Sequence, residues 1–383
     1  MSIRDFCHRL LYSFCRHYKL YRMIYDRKAF AKRDFIQKKG NITPLTNSQK
    51  REIIAFWKPI CNIEKELHWF EFYNTFCEDK EQLKYYIPDS IYYSAIDRFY
   101  SNPDRSAQID DKNLYDLIFY DIKRPHTIVH KTGGLITNSN YQVISPEQAL
   151  ELCKSHESVI AKKAVASDGG KGITFFDFNN ITDQEFIEWL KNNDEITIQE
   201  IIRQHPALSS SHANSINTIR IMTLMLNREL HVLSSVLRMG VNGARVDNAS
   251  SGGIVCGIDK NGCLKEYAYN IKGERWSQHP QGAIFKGTEV IGYHQCVELS
   301  KRLAGRINGV SRLISWDFAI GLQGEPILIE VNLSYGQVDF HQICNGPILS
   351  QLTNEQRELV LRCALDSNAH LRGAISRFFR RKQ

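Results

Sequence analysis

Between Ile314 and Asn332 the chain reads ISWDFAIGLQGEPILIEVN, and no other stretch restricts the possible folds so strongly. Two apolar runs flank a turn containing Gly324, Glu325 and Pro326, the pattern of an antiparallel hairpin. A two-residue turn at Gln323-Gly324 sets Asp317 directly opposite Glu330, with side chains about 4.5–5.5 Å apart at Cβ. Asn332 lies two residues on and shares their face. The other face reads Trp316, Phe318, Ile320, Ile327, Ile329 and Val331, all apolar. Like charges directly opposed weaken a sheet, so structure alone is a poor reason for this pair. A divalent cation removes the penalty, and oxygen ligands from Asp, Glu and Asn suit Mg²⁺. Magnesium keeps waters and shares ligands with phosphates, which points to a nucleotide. The competing arrangement ties one carboxylate to an Arg and leaves the other exposed, and a bulge in the hairpin breaks the pairing.

The middle of the chain supplies the partner surface. Ser145-Pro146-Glu147-Gln148 and Thr182-Asp183-Gln184-Glu185 are capping boxes that start two helices. Strands are expected at VIAKKAV, ITFFDF and EITIQEII, so helix, strand, glycine loop, strand, helix and strand form a compact α+β unit. The loop ASDGGKG carries Gly169, Gly170 and Gly172 between two strands. It lacks the spacing of a Walker A loop or a dinucleotide fingerprint. A glycine-rich hairpin can still fold over phosphates through backbone N–H groups, with Lys163 reaching the α-phosphate and Lys171 the terminal phosphates. Downstream, NSINTIRIMTLML, ELHVLSSVLRMG and SGGIVCGID read as antiparallel strands, and a helix at about 291–307 leads into the hairpin. Residues 1–100 are helical in character, broken at GNITP and near Pro59 and Pro88.

Charge singles out the two ends. Residues 1–40 hold eleven Lys and Arg against three Asp, so the remainder of this +7 chain sums to −1. The tail HLRGAISRFFRRKQ is basic again. With Phe6, Leu10, Leu11, Tyr12, Phe14, Tyr18, Leu20 and Tyr21 among the charges, the first segment reads as a basic amphipathic helix. It either lies on an anionic membrane surface or packs its aromatic stripe on the body. No nucleic-acid motif accompanies the charge. The ten cysteines are scattered without Cys-x-x-Cys, no His-Glu-x-x-His occurs, and no long apolar run or signal-like start is present. Free thiols in a reducing cytoplasm follow, with the inner face of the membrane as the peripheral alternative.

DKNLYDLIF, KKAVASDGGKGI, IQEIIRQHPALSSSHANSINTIRIMTL, VLRMGVNGARVDNASSGGIVCGID and ISWDFAIGLQGEPILIEVNLSYG, in this order, resemble the ATP-grasp superfamily. The branch they resemble is the one associated with sugar transfer and polysaccharide biosynthesis, related to glutamate-ligase-type proteins. The resemblance implies an α+β ATP-grasp fold over residues 109–352, with a lid at about 141–203 and a metal and phosphate subdomain at about 210–350. A helical region (1–108) precedes it and a basic helical tail (353–383) follows. It implies two subdomains that clamp ATP with two Mg²⁺ ions. Lys112 and Lys163 would approach phosphates; Gln199, Glu200, Ile201 and Ile202 would form the adenine hinge. His205 or Gln204 stands where an acidic ribose contact is usual. Asp317, Glu330 and Asn332 match the magnesium ligands. Many members carry an Arg two residues before the first metal Asp; here that residue is Ser315, and Arg220 or Arg238 is positioned to replace it, its planar fork matching phosphate oxygens. The implied reaction joins a carboxylate, a sugar acid that is free or lipid-linked, to an amine through an acyl phosphate. A phosphotransferase, or a non-catalytic partner of a glycosyltransferase complex, are the alternatives.

Overall fold

Helical periodicity governs the first hundred residues of the computed structural model. It describes residues 3–38, 40, 42–107, 109–165, 172–209, 215–244 and 246–380, without the side chains of 3–10, Ser250, Arg372 and 374–380. Helix α1 (Ile3–Lys38) runs up to the GNITP break. Helix α2 (Asn47–Trp57) starts on a capping box absent from the sequence reading: Gln49 N donates to Thr46 Oγ1 at 3.2 Å and Thr46 N donates to Gln49 Oε1 at 2.9 Å. Helix α3 (Leu67–Phe76) and short turns up to Ser106 complete the region. Trp57, Trp69, Phe70 and Tyr73 bury its interior, which is continuous with one face of the larger sheet.

The smaller sheet begins at Thr127. Its elements are β1 (Thr127–Thr132), β2 (Leu135–Asn138), helix α4 (Pro146–Lys154), β3 (Ser158–Lys163), β4 (Thr174–Asp177), helix α5 (Asp183–Asn192) and β5 (Ile196–Glu200). The strand order is β2-β1-β5-β3-β4, antiparallel throughout. Both expected caps close: Gln148 N donates to Ser145 Oγ and Glu185 N to Thr182 Oγ1, each at 3.2 Å. Val159, Ala161, Ile196 and Ile198 bury one face against α4 and α5. The opposite parity, which carries Ile160, Lys162, Thr197 and Gln199, points away from that core. The sheet therefore takes in β1 and β2, upstream of the 141 boundary expected from the sequence. Gly133 and Gly134 turn that hairpin at φ 57° and 80°, and β1 then pairs with β5 at the sheet's centre.

The larger sheet has seven antiparallel strands in the order β10-β9-β8-β7-β6-β11-β12. They are β6 (Thr218–Leu226), β7 (Glu229–Met239), β8 (Ile254–Ile258), β9 (Leu264–Tyr269), β10 (Arg275–Trp276), β11 (Leu313–Ile320) and β12 (Pro326–Asn332), with helix α6 (Tyr293–Ile307) before β11. Helix α7 (Val338–Asn345) and the long α8 (Asn354–Arg380) close the chain; Arg381 and Lys382 of the basic tail lie outside the described residues. Ile219, Ile221, Leu237, Trp316 and Phe318 pack on α6, while Met222, Val236 and Leu313 face α7 and the N-terminal helices. Arg220, Arg238 and Asp317 share this second face, by strand alternation.

The hairpin holds a correction. Asp317 does pair with Glu330, Trp316 with Val331 and Ser315 with Asn332. The turn, however, is wider than two residues: Gly321 N donates to Glu325 O at 2.9 Å, and Gly324 takes φ 82°. That shifts the pairs nearest the turn by one, to Phe318–Leu328 and Ala319–Ile327, and a bulge beyond Asp317 shifts them back. Leu328, rather than Ile327 or Ile329, therefore joins Trp316, Phe318, Ile320 and Val331 in the core beneath.

Candidate active site

Asp317 sits at the centre of the charged face of the larger sheet. Its β6 neighbour is Arg220, which grips it with both arms of the fork: Nε donates to Oδ1 at 2.7 Å and Nη2 to Oδ2 at 2.6 Å. Arg238 Nη1 donates to Oδ2 at 3.1 Å and Asn332 Nδ2 to the same oxygen at 3.2 Å. Burial alone raises the Asp317 carboxyl, but the Arg220 and then the Arg238 guanidinium outweigh it and hold it below the ordinary carboxylate range. Glu330 is held low as well: burial raises it and Asp317 adds to that, but Lys112, 2.7 Å from Oε1, and Arg220 together outweigh them. Neither carboxylate is thus the exposed, unpaired group of the competing sequence reading. Each is anionic and faces cations.

Each cation arrives from a different element. Lys112 belongs to the DKNLYDLIF segment, whose other residues bolt both sheets together. Asn113 Nδ2 donates to Lys131 O at 3.2 Å in β1, and Lys112 N to Ala164 O at 2.9 Å just past β3. Tyr115 OH donates to Val331 O at 3.3 Å and accepts from Val331 N at 3.2 Å, closing the outer edge of β12 between Glu330 and Asn332. Sequence reasoning missed Tyr115; an aromatic at that spacing is indistinguishable from a core residue. Arg238 also meets Asn248 Oδ1 and, at 3.4 Å, Asp247 Oδ1, while Thr218 donates to Asp247 Oδ2. The Asp247-Asn248 pair is thus the brace for Arg238. Its Nε remains buried without a hydrogen-bond partner among the described residues.

The two lysines of β3 take opposite faces. Lys163 shares the parity of Val159 and Ala161, is exposed, and lays its stem over Gly172, where an added Cβ would come 2.9 Å from Lys163 Cγ. Lys162 takes the opposite parity with Ile160. Burial pushes its ammonium down to about 8, the Lys112 charge pushes the same way, and Glu330 opposes. Lys162 is therefore the β3 lysine that senses the charged site, because alternation leaves only one of two adjacent residues on that face. Gly169, Gly170 and Lys171 lie outside the described residues.

Where the sequence places the adenine hinge, the side chains of Gln199 and Glu200 are engaged within the protein. Gln199 Nε2 donates to Thr127 Oγ1 at 3.3 Å and Glu200 Oε1 accepts from His126 N at 3.3 Å. Strand β5 ends at Glu200, so Ile201 and Ile202 pass beyond the ladder towards the larger sheet. His205 N donates to Ile320 O at 2.9 Å, and its ring Nδ1 accepts from Ala207 N at 3.2 Å. Gln204 Oε1 accepts from Asn217 N. Both ribose candidates are thus tied into the segment that passes from the smaller to the larger sheet.

The departure at Ser315 has a steric cause. Gly336, in the loop after Asn332, lies so close that an added Cβ would meet Ser315 Oγ at 2.4 Å. A larger residue at 315 would meet that loop, and the guanidinium that grips Asp317 belongs to Arg220 one strand over. The loop is fixed in turn: Gln337, at φ 60°, accepts from Arg220 Nη1 at 2.7 Å.

Two antiparallel sheets, one bearing Lys162, the other opposed carboxylates beside arginines, define an ATP-grasp-type fold. The family described as sugar-transfer associated ATP-grasp matches residues 94–357, well over half of the chain, and the chain belongs to that family. No curated protein matches it. Among solved structures it is similar to D-alanyl-alanine synthetase A from Vibrio cholerae, with 13% identity, TM-score 0.41, and 70% of this chain and 67% of that one covered. An L-amino acid ligase from Bacillus licheniformis shares 13% identity at TM-score 0.39, over 70% of this chain and 49% of that one. The ATP-grasp ligase PsnB with its minimal precursor shares 15% identity at TM-score 0.39, over 66% and 62%. The chain thus spans between about half and two thirds of the length of these structures.

Proposed function

We propose that this chain is an ATP-dependent carboxylate–amine ligase that works through an acyl phosphate and joins an amino compound to a sugar acid or similar carboxylate in surface polysaccharide assembly. The observation that carries the reading is the directly opposed Asp317–Glu330 pair, ringed by Lys112, Lys162, Arg220 and Arg238. The family's association with sugar transfer supports the substrate context.

The donor set fits magnesium. Glu330, Asn332 and Asp317 Oδ1, which among the described residues accepts from Arg220 Nε alone, are hard oxygen donors on one face. When bound, the ions neutralise phosphate charge. The chain's own groups do the rest. Lys112 exchanges Glu330 for a phosphate oxygen, and Lys162 meets the nucleotide from the facing sheet. The backbone at Ile201 and Ile202 meets the adenine edge. Arg238 presents its buried, unpartnered Nε to an anionic oxygen of the acceptor. The substrate carboxylate oxygen attacks the γ-phosphorus, the β–γ bridge breaks, and ADP leaves. An amine then displaces inorganic phosphate from the acyl carbon and loses a proton. No protein nucleophile is needed, because positioning and charge supply the rate.

The test is ADP release with magnesium and ATP across a panel of uronic acids and amino acids, run with and without hydroxylamine. A ligase yields a hydroxamate of the productive acid, and Glu330→Gln abolishes turnover while leaving the circular dichroism spectrum unchanged. ADP release with transfer of phosphate to a hydroxyl and no hydroxamate would establish a phosphotransferase and refute the ligase reading.

A further inference from the structure

Helix α1 presents different chemistry on its two sides. Its inward side is buried: Ile24, Arg27, Ala31, Phe35 and Lys38 pack on the N-terminal turns and α7. Its outward side carries Leu11, Tyr18, Tyr25 and Ile36, which are 59%, 43%, 52% and 56% exposed. Spacings of seven, seven and eleven residues keep these four on one stripe of the helix. Arg22, Lys32 and Arg33 flank the stripe, with Asp26 the acid beside them. Lys32 and Arg33 form no ion pair among the described residues. Thus the helix does not bury its whole aromatic stripe on the body, as one sequence reading expected.

We propose that this outward face of α1 docks on an anionic lipid surface. Tyrosines and leucines in a line with cations on both flanks match a lipid interface, where aromatic bodies enter the headgroup boundary and basic groups meet phosphates. The helix, at 36 residues, is about 54 Å long and lies lengthwise on that surface. Among the described residues no helix is long and apolar enough to cross a membrane. A second copy of the chain is the rival occupant and fits less well. Continuing the seven-residue spacing from Leu11, Tyr18 and Tyr25 leads to Lys32, so a parallel self-pairing sets cation against cation.

The same helix touches the active-site loop from its other side. Arg27 Nη2 donates to Ser334 Oγ at 2.6 Å and its guanidinium lies 4.6 Å from the Tyr335 ring centroid. That loop runs on to Gln337, which holds Arg220. Docking thus sets the acceptor side of the site one helix thickness, about 10 Å, from the lipid. An acceptor carried at a membrane follows only with the ligase reading; the docking itself does not depend on it.

Sedimentation with vesicles of phosphatidylcholine alone, and of phosphatidylcholine with about one third phosphatidylglycerol, tests the docking without any turnover. The full chain is expected to bind the anionic vesicles at least about tenfold better, and to be released by salt. Tyr18→Ser/Tyr25→Ser and Lys32→Glu/Arg33→Glu should each weaken that binding by about tenfold or more while leaving ATP binding in solution unchanged. Equal binding to both vesicle types, no binding at all, or variants that bind like the parent would overturn the proposal. So would a dimer in solution that Tyr18→Ser/Tyr25→Ser converts to a monomer, since the stripe would then be a self-association surface.

Discussion

Replacing Lys162 and Lys163 one at a time decides which residue of the pair meets the nucleotide. Their neutral isosteres, Lys162→Met and Lys163→Met, keep the length of the side chain and remove the charge. The Lys162 ammonium is pushed from 10.5 down to about 8, first by burial and then by Lys112. Holding that charge in the empty site therefore costs about 3 kcal/mol, with solvent screening at a half-buried position reducing this. A phosphate oxygen supplies the missing counter-charge, and a charge-assisted hydrogen bond of this kind contributes about 1.5–3 kcal/mol. Lys162→Met should accordingly weaken Mg·ATP binding by about 10- to 100-fold, and Lys163→Met by less than about threefold. Isothermal titration calorimetry with Mg·ATP reads both. The pH arm has a definite sign. Below about 8 the free Lys162 is charged and affinity is full; above it each binding event must first take up a proton, so affinity falls by up to about tenfold per pH unit. Lys162→Met should lose that slope. A large loss in Lys163→Met with a normal Lys162→Met would refute the parity argument, and with it the proposal that the Lys162 face of the smaller sheet meets the nucleotide.

Tyr115→Phe removes the hydroxyl that satisfies both Val331 N and Val331 O. It should lower stability to urea by about 1–3 kcal/mol and speed hydrogen exchange at Val331, with Mg·ATP affinity reduced because Glu330 and Asn332 flank that residue. Asp89 lies in a buried cluster with Lys38, Asp34 and Asp339, and burial, ahead of its acidic neighbours, raises its carboxyl to about 8. A raised carboxyl favours folding while it stays protonated. Stability from this group is therefore greatest near pH 4 and is lost as pH rises towards about 8; in chemical denaturation from pH 6 to 9, Asp89→Asn should show a flatter profile than the parent.

The sequence disclosed most where a local rule had a single physical solution. Ser145 with Gln148 and Thr182 with Glu185 announce helix starts because each side chain satisfies the other's backbone. The Asp317–Glu330 pairing was legible for the same kind of reason: alternation leaves few registers in which the aliphatics are buried. Lys162 was not legible, because two adjacent lysines are equivalent until the strand's phase is fixed. That phase is set by Val159 and Ala161 meeting Phe186 and Leu190, contacts between residues far apart in the chain. Arg220 and Arg238 were legible as cations on strands near the hairpin, but not their grip on Asp317, which depends on β11 adding to β6 in one register out of several.

The hairpin shows how a correct pairing can arise from a wrong turn. A tight turn at Gln323-Gly324 predicts one register along the entire ribbon. The wider turn closed by Gly321 and Glu325 displaces the strands by one residue, and had nothing else changed, Asp317 would face Ile329. A carboxylate opposite an isoleucine, with Glu330 turned to the core, leaves Lys112 without its partner and buries an unpaired charge, which costs far more than a bulge. The extra residue is Ile329 of β12, absorbed opposite the Asp317–Phe318 step, where the bulge restores the carboxylates and brings Leu328 into the core. What the chain conserves through both irregularities is therefore the face that carries Asp317, Glu330 and Asn332, and the turn adjusts to it.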